Sequence, residues 1–440
     1  MDKFNLMNKE LIKDIQPEKD GKLVSLGGWV ESIRDIGKIK FYLLRDVTGT
    51  IQITLLKNVE ENVREAFKKI KRHSVIIVKG EVKKNKIAPG GVEILPRSVE
   101  LLNSPIESIP LDPKQPADLS VRLDFRPVDL RNKKNWAIFR IQSKIVEGMT
   151  NFLINNEFVQ VFTPCIMGIP SESGAEVFPI FYFQKNAFLR QDPQLHRQLA
   201  VLGGLWRIFD IGPSWRAEPS YTPRHLTEHR GCAVEFAPIK DETSTMKLEE
   251  LLVVSAYKQV IKDCSVELEI LEIKPEIPTI PFPEIRFPKV YEILEEFGKK
   301  IPFGEDIDRE SEKFISDYIK EKFNHDFVFL NRFPSKIKPF YVMYIDEDPQ
   351  WARSVDLICK GLELSSGGQR EHRYEKIIAQ LKEKNMSLED SEWFTKFFKY
   401  GAPPHGGFNI GVERMTMQML DMKNIREVTL FPRDPTRLVP

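Results

Sequence analysis

Cysteine is scarce in this chain of 440 residues. Cys165, Cys232, Cys264 and Cys359 stand singly, with no CxxC pair to hold zinc and no density to support a disulfide framework, so they read as buried thiols. No apolar run approaches the roughly 18 residues that a bilayer span needs. The opening MDKFNLMNKELIKD has neither the apolar core nor the small-residue cleavage site of a signal peptide. The expectation is a cytoplasmic protein without a membrane partner. Neither the GxxxxGK[ST] phosphate loop nor the GxGxxG dinucleotide turn occurs, so a nucleotide, if bound, is bound in another way. An excess of one charge is also missing: the formal net charge is +1, which announces no polyanion partner for the chain as a whole.

What is present is a globular balance of 29% charged and 41% hydrophobic residues, in a length that suits two or three folding units. The charge is unevenly spread. Residues 1–105 carry 20 Lys/Arg against 14 Asp/Glu, leaving the remainder net acidic. A basic front module permits phosphate-backbone binding, although a solvated lysine-rich surface has the same composition. Alternating apolar residues in 22–33, 38–56, 74–82 and 91–102, with a turn at Thr48-Gly49, predict five short strands; the lysine-rich stretch 58–73 between the third and fourth predicts a helix. That count suggests a small closed barrel of the oligonucleotide-binding (OB) type over 1–105. Prolines at 105, 110, 113, 116 and 127 predict a hinge or linker over 106–135. Beyond it, Ile138, Ile141, Ile145 and Met149 have helical spacing, followed by the strand-like FVQVFTP. From there to 440 a second α+β domain is expected, with an insertion of helices and loops at about 275–340 and closing strands FYVMYI, SVDLIC and LELSSG.

Three segments are polar or glycine-rich where packing alone would favour apolar residues. The first, 207–239, sets Arg216, Glu218, Arg224, His225 and Glu228 in a loop between two strands. Arginines clamp phosphate oxygens bidentately and stay charged, but a surface hairpin with ion pairs has a similar pattern. The second, 354–375, offers Asp356, Glu363 and Ser366 as hard oxygen ligands for a magnesium ion shared with substrate phosphates, with Arg370 facing the adjoining anion. Acidic strand ends are common without a metal. The third, GAPPHGGFNIGVERM (401–415), lets backbone approach closely before a helix carrying Arg414 near its start.

Taken together, WRAEPSYTPRHLTEH resembles motif 2 of the class II aminoacyl-tRNA synthetases, GFNIGVERM resembles motif 3, and the helix plus FVQVFTP ending at Pro164 resembles motif 1. LDFRPVDLR, LELSSGGQREH and NIREVTLFPRDPTRLVP are similar to the archaeal and eukaryotic aspartyl-tRNA synthetases, and the resemblance covers nearly the whole chain. It implies an anticodon-binding OB domain, a catalytic domain on an antiparallel sheet flanked by helices, and a homodimer through motif 1 around Pro164. It implies ATP, an amino acid and tRNA as substrates, with Mg2+ on Asp356, Glu363 and Ser366. By the same resemblance Arg216 is catalytic at the α-phosphate. Glu218, Arg224, His225, His229, Glu363 and Arg414 bind ATP. Glu172, Asp192, Gln194, Arg197, Ser366 and Arg370 bind the amino acid. Phe41, Arg34 and Gln52 read the anticodon.

The amino-acid pocket departs from the family pattern. Gln-Ser-Pro-Gln-Leu-Tyr-Lys-Gln is here Gln191-Asp192-Pro193-Gln194-Leu195-His196-Arg197-Gln198, Ala233 replaces an aspartate after motif 2, His229 replaces a phenylalanine, and Asn409 replaces a small residue. Aspartate remains the expected substrate and tRNA(Asp) its acceptor, and the sequence leaves open whether tRNA(Asn) is a second one. A paralogue of the same fold that uses another amino acid or acceptor, asparaginyl-type or asparagine-forming, and a tRNA-binding protein without catalysis, are the alternatives.

Overall fold

The computed structural model describes residues 10–37, 39–112, 115–169 and 177–440. Two compact units divide at residue 112. In the first, β1 (Leu23–Asp35), β2 (Ile39–Arg45), β3 (Thr50–Leu56), β4 (Val75–Lys84) and β5 (Val92–Asn103) close a barrel in the order β1-β2-β3-β5-β4, with α1 (Glu61–Lys68) between β3 and β4. Strand alternation decides what fills it. Leu26, Val30, Tyr42, Leu44, Ile51, Ile53, Ile76 and Val78 point inward and Phe67 of α1 seals one side. Both the strand count and the helix agree with the sequence pattern.

The second unit is built on an eight-stranded sheet. Its strands are β6 (Val159–Gln160), β10 (Arg207–Trp215), β11 (Glu228–Phe236), β12 (Glu284–Arg286), β13 (Phe327–Asn331), β14 (Ser354–Cys359), β15 (Leu362–Gln369) and β16 (Gly406–Gly411), in the order β12-β13-β14-β15-β16-β11-β10-β6. The six central strands run antiparallel, as expected. The outermost pairs, β12 with β13 and β6 with β10, are parallel, so the sheet is mixed. A separate small sheet joins β7 (Ile166–Met167), β8 (Pro179–Tyr182) and β9 (Lys185–Leu189).

Helices follow in chain order as α2 (Leu119–Asp124), α3 (Arg126–Asp129), α4 (Lys133–Asn155), α5 (Gln194–Leu202), α6 (Thr243–Asp263), α7 (Ser265–Leu271), α8 (Lys289–Glu296), α9 (Arg309–Phe323), α10 (Tyr374–Glu383), α11 (Leu388–Thr395) and α12 (Val412–Met419). Asn132 caps α4 by accepting from the Lys134 amide at 2.9 Å. The stripe Ile138, Ile141, Ile145 and Met149 packs with α6 against one sheet face. At Gly148 the two helices touch: a Cβ there would stand 2.8 Å from Gln259 Cβ and 3.0 Å from Ala256 Cα.

Several expectations change. The stretch read as a proline-rich hinge carries α2, α3 and the first turn of α4, because Pro127 sits at the start of α3, where its missing N–H costs nothing. Arg126 is fully buried there and donates to Asp129 and to the carbonyls of Glu427, Thr429 and Leu430, tying the segment to the end of the chain. The 275–340 segment contributes the strands β12 and β13 besides helices, with its own small core around Phe287, Ile293, Ile315 and Phe333. FYVMYI is no strand; its β pairing is limited to two isolated bridges, Val342 to Arg370 and Tyr344 to Ala352. Cys165 is exposed, whereas Cys232, Cys264 and Cys359 are buried thiols.

Candidate active site

One cavity of about 230 Å³ opens on the face of the central strands. Its wall brings together Arg216, Glu218, Arg224, His225, His229, Glu363, Ser366 and Arg414, and at its other end Asp192, Gln194 and Arg370. These come from distant segments placed side by side by strand order: β11 pairs with β16, and β16 with β15. Arg216 follows β10, and its amide donates to the Thr227 carbonyl at 3.0 Å, which fixes the base of the loop. The loop is further held by the chain's end: Arg426, buried, donates to the Thr222 carbonyl at 2.7 Å and to Asp434 at 2.6 Å.

Among the arginines of the cavity wall, Arg414 in the first turn of α12 donates to the Glu363 carbonyl at 2.8 Å, with the Glu363 carboxylate at 3.6 Å. Arg216 lies 3.5 Å from Glu218. His225 shares a 2.7 Å hydrogen bond with the Thr222 hydroxyl. Burial, together with the charges of Arg216 and Arg414, pushes the His229 imidazole down to about 3, so at neutral pH it presents a neutral aromatic face.

The other end is a network of charge-assisted bonds. Arg197 donates through Nη2 to Asp192 Oδ2 at 2.6 Å and to Gln194 Oε1 at 3.0 Å. Gln194 donates to Glu235 at 2.8 Å, and Arg370 donates to both Glu235 oxygens at 3.1 and 3.3 Å and to Gln194 at 3.1 Å. Burial opposes the charge on Asp192, but Arg197, Arg370 and Arg190 outweigh it and hold the carboxyl below its ordinary value. Arg197, expected at the substrate, is turned away: its side chain is 1% exposed against 17% for Asp192, and it does not line the cavity. The guanidinium fork reaches its own neighbour instead.

The divalent-cation donors fit in part. Glu363 and Ser366 line the cavity, whereas Asp356 stands behind them on β14, opposite Ser366. Burial and the charge of Glu363 push Asp356 up to about 6 against the pull of Lys338, and its Oδ1 is buried without a hydrogen-bond partner among the described residues. A cation would relieve both. Among the described residues no group of three or more His, Cys, Asp or Glu side chains forms a ready-made metal cage, so substrate phosphates would have to complete the coordination, as magnesium ordinarily demands.

Glu172 lies outside the described residues. On the barrel, Arg34 faces Phe41 across β1 and β2, and Gln52 sits diagonally on β3, so the three share the outward face. Phe41 stands outside the barrel core. Gln52 donates to Thr54 at 3.1 Å and to Glu93 at 3.0 Å. Sequence reasoning missed Glu235, Lys338 and Glu312. Glu235 had a signal, an acid among the buried residues of CAVEF; the other two come from the insertion and had none.

A five-stranded barrel in one chain with a sheet that gathers arginines and carboxylates in this way is the architecture of a class II tRNA synthetase. The family model "tRNA synthetases class II (D, K and N)" matches residues 118–435, and that of the OB-fold nucleic acid binding domain matches 24–102. The chain belongs to the class II tRNA synthetases. It is 45% identical over 430 residues to an aspartate–tRNA(Asp) ligase of Pyrococcus furiosus, covering 97% of this chain and 98% of that one. An aspartate–tRNA(Asp/Asn) ligase of Archaeoglobus fulgidus is 42% identical, with 97% and 99% covered. The crystal structure of asparaginyl-tRNA synthetase from Pyrococcus horikoshii complexed with asparaginyl-adenylate superposes with a TM-score of 0.92 at 33% identity, covering 99% of this chain and 100% of that one.

Proposed function

We propose that this chain is an aspartate–tRNA ligase, acting on tRNA(Asp) and on tRNA(Asn). The observation that carries the reading is that Arg216, Glu363 and Arg414, from three separate segments, line one cavity whose other end holds Asp192 and Arg370. The names borne by the full-length relatives support aspartate, and the Archaeoglobus fulgidus relative supports the wider acceptor set.

In the first step an aspartate carboxylate oxygen attacks the α-phosphorus of ATP and pyrophosphate leaves. Arg216 holds the α-phosphate and neutralises the charge that develops there; Arg224 and His225 take the outer phosphates. Glu218 accepts from the adenine amino group, with the base between the neutral His229 ring and Arg414. Asp192 receives the substrate ammonium, Arg197 acts through it as a positioning residue, and Arg370 with Gln194 meets the side-chain carboxylate. Glu363 and Ser366 would hold magnesium, with Asp356 behind them, and the ion would supply charge neutralisation at the phosphate oxygens. In the second step the terminal ribose hydroxyl of tRNA attacks the adenylate carbonyl and AMP leaves. No side-chain nucleophile is required, so positioning and charge stabilisation account for the rate.

Phe41 stacks on an anticodon base while Arg34 and Gln52 read base edges. The working form is a homodimer through the segment around Pro164, supported by exposed Val159 on the edge strand β6 and exposed Phe162 and Ile166 beyond it in the chain. Its place is the cytoplasm, with protein synthesis; no helix among the described residues is long and apolar enough to cross a membrane.

Incubation with ATP, labelled pyrophosphate and each amino acid tests the reading. Aspartate-dependent exchange is expected, with Arg216→Ala lowering it by about 10²- to 10³-fold. Exchange driven by asparagine or another amino acid, and not by aspartate, would overturn the substrate; no exchange at all would leave a tRNA-binding protein.

A further inference from the structure

Arg224 is held from behind by a part of the chain that the mechanism above does not use. Its Nη1 donates to Glu312 Oε2 at 3.1 Å and to the Gly361 carbonyl at 3.0 Å. Its Nε and Nη2 make no bond to the described residues, so a guanidinium with donors to spare stands at the cavity wall. Glu312 itself does not line that cavity. It lies in the first turn of α9, within the insertion, and α9 is seated firmly. Asp308 caps it by accepting from the Ser311 amide at 2.9 Å, and Ser316 Oγ accepts from the Gly361 amide at 2.8 Å. Gly361, at φ +76°, lets the β14–β15 turn approach closely; a Cβ there would stand 3.2 Å from Lys313 Cα. The same turn leads two residues later to Glu363.

This arrangement is a poor way to gain stability. Glu312 and Arg224 are each 15% exposed, and the Glu312 carboxyl suffers both burial and repulsion from Glu363. A half-buried carboxylate near a like charge is weak evidence for a stabilising pair and better explained by the position it imposes on its partner.

We propose that Glu312 is a positioning residue for the outer phosphates of the nucleotide: with the Gly361 carbonyl it holds Arg224 at the cavity's edge, and so makes the insertion part of the nucleotide site. The inference rests on the ligase reading. It concerns only the group that meets the β- and γ-phosphates, so its effects are confined to ligands that carry them.

The test is steady-state ATP–pyrophosphate exchange with the full chain, comparing the parent, Glu312→Ala, Glu312→Gln, Arg224→Ala and Arg224→Ala/Glu312→Ala, with Glu310→Ala on the exposed side of α9 as control. Glu312→Ala is expected to raise the KM for ATP about 10-fold, and Glu312→Gln, which keeps an acceptor oxygen, about 3-fold. The KM for aspartate and the inhibition constant of AMP should stay within 2-fold. In the Arg224→Ala background, loss of Glu312 should add nothing. A KM for ATP unmoved in both single variants, an AMP constant that rises in parallel, or additive effects with Arg224→Ala would each overturn the proposal. If Glu312→Ala does not fold, Glu312→Gln alone and combined with Arg224→Ala decides by the same criteria. Should the parent exchange with no amino acid, the ligase reading fails first, and Glu312 falls with it.

Discussion

Removing the Arg197 guanidinium, as in Arg197→Met, strikes a buried charge pair of the candidate site. The side chain is 1% exposed, and its 2.6 Å bond to Asp192 is supplemented by one to Gln194. Deleting one partner of a buried pair costs about 3–5 kcal/mol, because the remaining charge is left without compensation. Arg370 and Arg190 also act on Asp192, so the lower end, about 3 kcal/mol at pH 7, is expected. The assay is urea unfolding followed by tryptophan fluorescence; five of the six tryptophans lie beyond residue 112, so the signal reports the second unit. The pH dependence has a definite sign. In the parent, Asp192 is held below its ordinary value, so the pair contributes fully above about pH 3.9 and its contribution is lost as pH falls through the lowered native value. In the variant, burial has less to oppose it and raises the Asp192 carboxyl, so the native state gains a proton as pH falls and the penalty shrinks towards pH 5. Asp192→Ala/Arg197→Met, which leaves no charge stranded, should recover most of the stability while losing amino-acid binding. A loss below 1 kcal/mol at pH 7, or no recovery in the double variant, would refute the assignment of the pair.

Three other outcomes follow from the same geometry. A Cβ at Gly28 would lie 2.2 Å from the Arg45 carbonyl oxygen, so Gly28→Ala should destabilise the barrel by about 1–3 kcal/mol, read at Trp29, while ATP–pyrophosphate exchange is unchanged. Phe41→Ala should raise the KM for tRNA by the 1–3 kcal/mol of one stacked base, about 5- to 150-fold, again without effect on exchange. Glu249, fully buried with Ser365 donating to it, is pushed up to about 8 by burial, against the pull of that hydrogen bond. Its native state therefore binds a proton that the unfolded chain releases above about 4.5, and stability falls as pH rises from there to 8. Glu249→Gln removes this titration. Its stability relative to the parent should rise by about 1.4 kcal/mol per pH unit over that window and level off above it, measured by urea unfolding at stepped pH.

The barrel was legible because its strands are buried on one face only, so period-two alternation survives in the sequence. FVFLN of β13 is buried at all five positions, which erases that alternation and leaves the run ambiguous inside the insertion. FYVMYI misled for the opposite reason. Its apolar residues are buried, but its backbone makes no continuous ladder: the Met343 amide donates to the Gln369 carbonyl at the end of β15, and the Arg353 amide, from a loop, donates to the Met343 carbonyl. At the site, residues carried by motif spacing, such as Arg216 and Arg414, were readable and do meet at one cavity. Glu312 was not, since nothing local ties it to Arg224, 88 residues away in the chain, and Lys338 was not, since nothing local marks it as the partner of Asp356 on β14. Arg197 was readable as a position but not as a direction: spacing locates a side chain on a helix and does not say which neighbour captures its fork.

Four of the pocket positions that depart from the family pattern fall into two pairs, Asp192 with Arg197 and Ala233 with Asn409. An arginine at 197 alone would bury an uncompensated cation, and Asp192 supplies its anion. Asn409 stands opposite Ala233 in the β11–β16 register, and a Cβ at 231 would meet its Oδ1 at 2.1 Å, so the amide depends on glycine there. A site decaying after loss of function would leave such pairs half broken, whereas here Arg197 keeps its anion and Asn409 its glycine neighbour. In these pairs Arg197 Nε and Asn409 Oδ1 are buried without a hydrogen-bond partner among the described residues, and of the two residues Asn409 lines the cavity. Buried acceptors are seldom left unpaired. The simplest completion is a donor that arrives with the ligand, which makes the altered pocket one that is retuned for binding.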